Sequence, residues 1–335
     1  MSGLNFDKDV PVPAVDRWIG IGLVLLVAAS SGCRSHAWLR RNGDAPPVLF
    51  SSLPGAAEVA AAVNAHTARV QTLQSRGAKL SVPGAPSISA EVAIQRPRNL
   101  RITAGTQLGG PELDLGSNDE LFWLWVARMP EPAVFFARHE QFAVSPARKL
   151  LAIEPLWLLE ALGLIELDPA SITEGPLLAG RDRIELRLRQ TGPDGTVTRL
   201  VRLHARYGWV LEQHVVDDQG RIVASAVTSG HQFHAVDGVA LPHRVDVQVP
   251  TSGLRWQLEI DRWAINQPLG DREQLFTLPR QALGRYPLVD LADPQAVLPW
   301  VGGSPEAAPP PAATTTAPPG QAGIPRRLRG FSQWR

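Results

Sequence analysis

The chain has 335 residues, of which 44% are hydrophobic, enough for one large domain or two modest ones. Lys and Arg number 33 against 32 Asp and Glu, so the formal net charge of +1 provides no field that would attract nucleic acid. The single cysteine excludes an intramolecular disulfide. Composition therefore predicts a globular protein without a nucleic-acid partner.

Near the N-terminus, residues 18–29 form an uncharged apolar run, followed by small residues and then Cys33. The run has the length of a signal peptide and is short for a membrane span. Its Ser-Gly-Cys end resembles the lipobox of bacterial lipoproteins, with Ser30 where that pattern prefers leucine. The resemblance implies that residues 1–32 are removed and that Cys33 is acylated, for example with palmitate. An uncleaved membrane anchor and a buried core helix are the alternatives.

Residues 33–47 are polar and carry no apolar period, which predicts that residues 33–52 are a tether between a membrane anchor and a folded body over residues 53–300. Apolar residues then recur at three- and four-residue steps over residues 55–76. This spacing predicts an amphipathic first helix that ends at Gly77.

After that helix the apolar period changes to two, which predicts strands. They cover residues 79–82, 88–95, 99–104, 112–115, 121–127, 133–139, 183–189, 196–204, 210–216, 222–233, 244–249 and 254–265. A helical block over residues 146–163 interrupts them, with Pro155 suited to a first helical position. Short links predict antiparallel neighbours. The predicted fold is mainly β: a strongly curved antiparallel sheet forming an incomplete open barrel, with helices in or over its mouth. A two-sheet sandwich is the alternative.

The sequence contains no pattern typical of catalysis. Neither a Gly-x-Ser-x-Gly elbow nor a phosphate-binding glycine loop is present. The one local histidine cluster is His231, His234 and His243, and residues three apart on a strand point to opposite faces. We therefore predict no metal, no cofactor and no enzymatic activity.

The strand over residues 121–126 is apolar on both faces, so both faces must be covered. In an open barrel one of these faces can line a cavity for an apolar ligand, whereas an ordinary packed core is the alternative. The candidate lining residues are Leu100, Ile102, Leu113, Phe122, Leu124 and Phe135.

Four segments, taken in order, resemble the LolA/LolB-like superfamily of lipoprotein carriers and receptors. They are Ile-Gln-Arg-Pro-Arg-Asn-Leu-Arg-Ile at 94–102, Asn-Asp-Glu-Leu-Phe-Trp-Leu-Trp at 118–125, Val-Asp-Gly-Val-Ala-Leu-Pro at 236–242 and Phe-Thr-Leu-Pro at 276–279. The likeness covers residues 58–279. It implies an incomplete barrel whose hydrophobic cavity holds acyl chains without chemistry. It also implies that Arg96 helps to hold a lid closed, the alternative being a plain charge at a strand edge.

Residues 301–335 are rich in Pro, Ala and Thr and end in a basic aromatic segment, which predicts a disordered tail. The tail is either solvated or in contact with an anionic surface. We expect a monomeric envelope protein, anchored to a membrane through its lipid and facing the periplasm, that binds lipid or lipoprotein acyl chains. Arg34 after the cysteine favours the outer membrane over the inner. A structural or interaction lipoprotein with a filled barrel core and a tail that binds the cell wall or a partner is the alternative, and an envelope hydrolase is a third.

Overall fold

The computed structural model describes residues 45–149, 155–192 and 195–295. Cys33, the signal segment and the predicted tail lie outside these residues, so what was predicted for them stays a prediction. The helices in the described ranges are α1 Ala56–Ala68, α2 His139–Phe142, α3 Pro155–Ala161, α4 Arg272–Leu275 and α5 Arg280–Leu283. Single 3-10 turns occur at Pro146–Lys149, Pro169–Ser171 and Pro250–Ser252.

The strands occupy most of the described chain. They are β1 Thr72–Ser81, β2 Ile88–Gln95, β3 Asn99–Thr106, β4 Gly110–Ser117, β5 Leu121–Val126, β6 Val134–Arg138, β7 Ile172–Leu178, β8 Arg183–Gly192, β9 Gly195–His204, β10 Val210–Val216, β11 Ile222–Ser229, β12 Gln232–His234, β13 Val239–Leu241, β14 Arg244–Val249, β15 Leu254–Ile260, β16 Ala264–Ile265 and β17 Leu288–Asp290. The chain is thus mainly β, as predicted.

All strands except β12 and β13 belong to one sheet, with the order β17-β6-β5-β4-β3-β2-β1-β15-β14-β11-β10-β9-β8-β7 and β16 beside β1. Neighbouring strands are antiparallel, as their short links require. The exception is β17, which pairs in parallel with β6 and makes the sheet mixed. Within the described residues the end strands β7 and β17 are not paired, so the sheet stays open. The predicted open, incomplete barrel is confirmed.

One face of this sheet curls around α3. Buried residues from β3, β2, β1, β15, β14 and β11 form a single apolar cluster with residues 157–164. Six strands at about 4.8 Å spacing span about 24 Å, whereas a helix is about 10 Å across with its side chains. If the sheet were flat, its outer strands would lie too far from a single helix to contact it. This face is therefore concave. The helical block predicted to pack on the sheet does so from inside the curve.

Helix α1 covers the continuation of the same face on β8 and β9. Val59, Ala60 and Val63 are buried against apolar residues of these strands. The opposite, convex face is covered near β5 and β6 by the C-terminal segment, where Leu278 and Leu283 pack on the two strand tryptophans. Both faces of β5 are therefore covered, as its sequence predicted.

The predicted first helix was too long. Helix α1 ends at Ala68 and the chain is already in β1 at Thr72, so Gly77 lies inside a strand rather than after a helix. The side-chain oxygen of Asn266 accepts hydrogen bonds from the amides of Gln71 and Thr72 and draws the chain into the sheet. Tertiary pairing here overrides an apolar spacing that also fits a helix.

Several other predicted bounds were wrong for local reasons. The predicted strand 222–233 stops at Ser229, because Gly230 has a φ of 64° and turns the chain. The predicted strand 254–265 is interrupted between β15 and β16. The block over 146–163 divides into a 3-10 turn and α3, which begins at Pro155 as predicted. Strands β7, β13 and β17 were not predicted.

Candidate functional site: the concave face beneath α3

The six candidate lining residues all belong to the concave face. Directly paired residues of antiparallel strands project from the same side of a sheet. One row across the strands joins Ile102, Leu115, Leu124 and Phe135, and the next joins Leu100, Ser117 and Phe122. Leu113 continues the surface beside Ala104 and Val126. The structure therefore brings the predicted set together on one surface.

These residues fall into two adjoining apolar clusters. Leu100, Ile102 and Leu113 pack in the cluster that contains α3. Phe122 and Phe135 pack instead with Phe142 of α2, whose ring meets that of Phe122 edge-on at 4.9 Å between centroids. Leu124 is half-buried and lies between Leu115 of the first cluster and Phe135 of the second. The lining is continuous from β3 to β6.

In the structure the space over this surface is filled by the chain itself. We call residues 155–164 the α3 segment. Its buried side chains Trp157, Leu158, Leu159 and Leu162 pack on the concave face. The packed core that the sequence left open as an alternative is thus the arrangement seen here. Whether the lining residues contact a ligand stays a prediction.

Arg96 lies at the rim of the concave face, between β2 and β3. Its Nη1 donates to the carbonyl oxygen of Thr67 at the end of α1 over 2.9 Å. Its guanidinium also pairs with the carboxylate of Glu166, just beyond the α3 segment. A cleft of about 210 Å³ opens beside it, lined by Arg96, Pro97, Arg98, Leu159, Glu160, Leu164 and Glu166. The side chain thus joins α1, the sheet and the chain after α3, while its role as a lid contact stays a prediction.

A polar group that the sequence analysis missed lies within the concave face. Arg199 on β9 is only 9% exposed, and its guanidinium contacts the carboxylate of Glu160 on α3 at 2.7 Å. It also donates to the side-chain oxygen of Gln213 on β10 over 3.1 Å. The sequence does indicate that Arg199 points inward, because it lies two and four residues before the inward-facing Val201 and Leu203. Alternate residues of a strand face the same side of the sheet.

The histidines near α1 are held neutral by burial. Desolvation lowers the pKa of His231 to about 4, although its Nε2 lies 3.0 Å from the carbonyl oxygen of Val210. Desolvation likewise lowers the pKa of His66, whose Nε2 accepts the amide hydrogen of Ala240. In the ranges that the structure describes, no group of three or more His, Cys, Asp or Glu residues is placed to hold a metal ion.

A wide groove lies on the convex face, away from all the candidate lining residues. It has a volume of about 1260 Å³ and runs between β1–β3 and residues 270–282. Its strand side presents the polar side chains of Gln74, Arg76, Glu91 and Arg101, together with the apolar Leu121 of β5. An acyl chain would gain little there, because charged and amide groups would lose water without gaining a partner.

The described chain begins twelve residues after Cys33 and docks at one end of the sheet. The amides of Leu49 and Phe50 both donate to the carbonyl oxygen of Arg206 in the β9–β10 turn, and Phe50 is buried beside α1. None of the described helices is long and apolar enough to span a membrane.

No protein-family model matches the chain. No curated protein matches it either. Solved structures with a similar fold include an outer membrane lipoprotein-sorting protein domain from Vibrio parahaemolyticus, with 10% identity, a TM-score of 0.45, and coverage of 68% of this chain and 99% of that one. A LolA superfamily protein from Nitrosomonas europaea has 12% identity, a TM-score of 0.41 and coverage of 67% and 98%.

A DUF1329 family protein from Desulfovibrio piger has 14% identity, a TM-score of 0.42 and coverage of 68% and 97%. The Nitrosomonas protein belongs to the superfamily that the sequence motifs resemble. These likenesses assign no ligand and no residue role to this chain.

Proposed function

We propose that this protein is a lipid-anchored envelope protein that binds acyl chains of lipids or lipoproteins against its concave face, without catalysis. The supporting observation is that the apolar concave face is covered mainly by short helical segments, α1 over β8 and β9, α2 over β5 and β6, and the ten-residue α3 segment over the strands from β11 to β3, where Val239 and Leu241 of β13 also pack. A segment of this size can leave the surface without breaking any strand pairing. The sequence resemblance to acyl-chain carriers supports the same reading.

The free energy lost when the α3 segment leaves the concave face is similar to the free energy gained when an acyl chain binds there. Moving the α3 segment away exposes five large buried apolar side chains, Trp157, Leu158, Leu159, Leu162 and Leu164, at a cost of about 1.5–3 kcal/mol each. An acyl chain that buries about a dozen methylenes gains about 0.8 kcal/mol for each of them. The gain and the cost are of similar size, so an acyl chain can replace the helix reversibly. Reversible exchange is what a carrier or receptor needs.

The anchor is the second part of the proposal. Cys33 would hold the protein at the periplasmic face of the outer membrane, and residues 34–48 would connect the lipid to the folded body, which is first fixed to the sheet at Leu49 and Phe50. An anchored monomer works where it is tethered, which favours a receptor or resident binder over a diffusing carrier.

Binding is tested with the chain from residue 34 onward, stripped of lipid and titrated with a neutral apolar fluorescent probe. We expect saturable binding that weakens roughly tenfold in Leu124→Gln, because one leucine contact on the concave face is lost. Leu121→Gln is the matched control, since Leu121 is also half-buried but points to the convex face of the same strand. Absence of saturable binding, with no lipid in the native extract, would refute the proposal.

The anchor is tested separately by growing cells with labelled palmitate. We expect label in the wild-type protein and none in Cys33→Ser. Mass spectrometry of the mature N-terminus should find an acylated cysteine as the first residue. An N-terminus that retains residues 1–32 would contradict this part of the proposal and leave the binding part intact.

A second candidate function is a structural or interaction lipoprotein whose barrel core is permanently filled. The packing of the α3 segment on the concave face favours it, because no empty cavity is needed for such a role. Removal of residues 302–335 would then abolish capture of a cell-wall fragment or partner, whereas the acyl-chain proposal expects probe binding to survive that deletion unchanged.

A further inference from the structure

Arg199 is a charged side chain on an otherwise apolar surface. Among the described residues, it is the one basic side chain that is buried, and it shares the inward face of β9 with Val201 and Leu203. Its strand partners on the same face are Leu188 on β8 and Val215 on β10. Packing alone would favour an apolar residue here, since a buried cation is costly unless it is paired.

The carboxylate that pairs with Arg199 comes from the α3 segment and not from the sheet. Glu160 Oε2 lies 2.7 Å from Arg199 Nη2. The side-chain amide of Gln213 donates to the backbone carbonyl of the same Glu160, while its oxygen accepts from Arg199. Both sheet residues therefore direct hydrogen-bond donors at α3, and displacing the segment would leave a guanidinium and an amide donor facing the apolar space.

We propose that the ligand of the concave face is an anionic lipid, and that Arg199 and Gln213 bind its carboxylate or phosphate head group in the place now held by Glu160. This inference rests on the proposed function. The anion restores the charge pair that the departing helix removes, so the exchange does not leave a buried cation uncompensated. A neutral lipid would fill the same apolar space without providing that charge.

The position of Arg199 suits a head group with an attached chain. From β9 the concave face continues through Val215 and Ala224 to the apolar cluster of β14, β15 and β1. A head group at Arg199 therefore has uninterrupted apolar surface beside it for its tail. Arg202, three residues along, illustrates the contrast: it points to the other face and pairs with Glu185 and Glu212 at the surface.

The experiment uses the full anchored chain reconstituted in phosphatidylcholine vesicles. Two photoreactive probes with the same chain are compared, hexadecyl phosphate and hexadecanol, and crosslinked peptides are identified by mass spectrometry. We expect hexadecyl phosphate to label concave-face peptides roughly tenfold more than hexadecanol, as charge-assisted hydrogen bonds allow. Excess inorganic phosphate should not compete if the lipid tail is required, whereas competition would mean that free phosphate is the ligand and would overturn the lipid assignment.

Three variants make the test specific. Arg199→Gln should bring the ratio of the two probes to about one while hexadecanol labelling persists. Glu160→Gln removes the carboxylate that competes with the phosphate group for Arg199, so it should raise hexadecyl phosphate labelling several-fold. Arg202→Gln, which changes a cation on the opposite face of the same strand, should leave the ratio unchanged. Thermal melts of each variant show that it is folded, and the opposite effects of Arg199→Gln and Glu160→Gln cannot both come from loss of structure.

The results distinguish a failure of the anionic head-group assignment from a failure of acyl-chain binding itself. Equal labelling by both probes that Arg199→Gln does not alter would overturn the anionic assignment and leave acyl-chain binding standing. Absence of labelling by either probe would overturn both.

Discussion

Gly116 on β4 lies directly beneath the indole ring of Trp123, the residue with which it pairs on β5. A Cβ atom at position 116 would fall inside the van der Waals radius of the ring carbons, and Trp123 is fully buried, so the ring has no room to move. Gly116→Ala should lower the free energy of unfolding by about 1–3 kcal/mol through overpacking. Urea denaturation measures this change.

Gly270→Ala is the control for that substitution, because a Cβ atom there would meet nothing within 4 Å. We expect a change within about 0.5 kcal/mol for it. Equal stability of the Gly116→Ala variant and the wild type would show that the indole ring can shift after all.

Two buried tryptophans on β5 differ in one hydrogen bond. Trp123 Nε1 donates to Asp114 Oδ1 over 2.9 Å, whereas Trp125 Nε1 is buried without a partner among the described atoms. Trp123→Phe removes the donor from a buried carboxylate and should cost about 1–3 kcal/mol more than Trp125→Phe. Denaturation of both variants gives the difference, and a larger loss in Trp125→Phe would contradict the assigned hydrogen bond.

Stability should fall in mild acid because several histidines are partly buried. Burial lowers the pKa of His231 to about 4, from 6.5 in the unfolded chain. The folded state therefore disfavours the proton, and the contribution is complete above pH 6.5 and lost as pH falls toward 4. The loss from His231 is at most about 1.4 kcal/mol per pH unit. His66, His204 and His243 lie near it and their own lowered pKa values add to the same trend.

Melting temperatures between pH 7.5 and pH 4.5 test this directly. His231→Gln should flatten part of the acid slope while retaining a side chain that can donate to Val210. His139→Asn, at the first residue of α2, is the control. An unchanged slope in His231→Gln would mean that His231 contributes no pH dependence.

Leu162 of the α3 segment is fully buried against the concave face. Leu162→Ala should destabilise the protein by about 2–5 kcal/mol, because it removes apolar contacts and leaves a cavity. The same change weakens the packing of the α3 segment on the concave face, so a neutral apolar probe should displace the segment more easily and bind more tightly. Leu178→Ala, at a leucine that is 65% exposed, should change neither quantity. Tighter binding in the control would point to general loosening of the fold.

Arg96 links α1, the sheet and Glu166. Arg96→Gln should speed hydrogen exchange at residues 164–167 and accelerate probe uptake, since the guanidinium no longer holds the chain after α3. Arg98→Gln, at the exposed neighbour, is the control. Identical exchange and uptake in the two variants would favour the alternative that Arg96 is a simple charge at the rim.

The strand pattern was predictable because most links are short and most strands alternate strictly. The run 99–104 placed Leu100 and Ile102 on one face, and pairing with β4 extended that face as expected. The boundary after α1 was not predictable, since Val70 and Leu73 continue the three- and four-residue spacing of the helix although β1 already begins at Thr72. Strand β7 was missed because it contains Gly175 and Pro176, residues that sequence patterns assign to turns.

The site was predictable to a lesser extent. Alternation identified the apolar lining, and the Pro155 signal located the helix that covers it. Nothing in a single sequence says that Glu160 of that helix meets Arg199, because the two residues are 39 positions apart and come into contact only through the curvature of the sheet. Long-range charge pairs of this kind need the tertiary structure.

Among the strands that the structure describes, β7 and β17 are unpaired edges of the sheet, and this has a consequence for its interior. In a closed barrel the radius is fixed by the number of strands and their stagger. An open sheet has no such constraint, so its two margins can separate or approach without the loss of a single ladder hydrogen bond. The width of the interior then depends on the group that fills it. Bending of the sheet is enough for the protein to accommodate groups of different diameter.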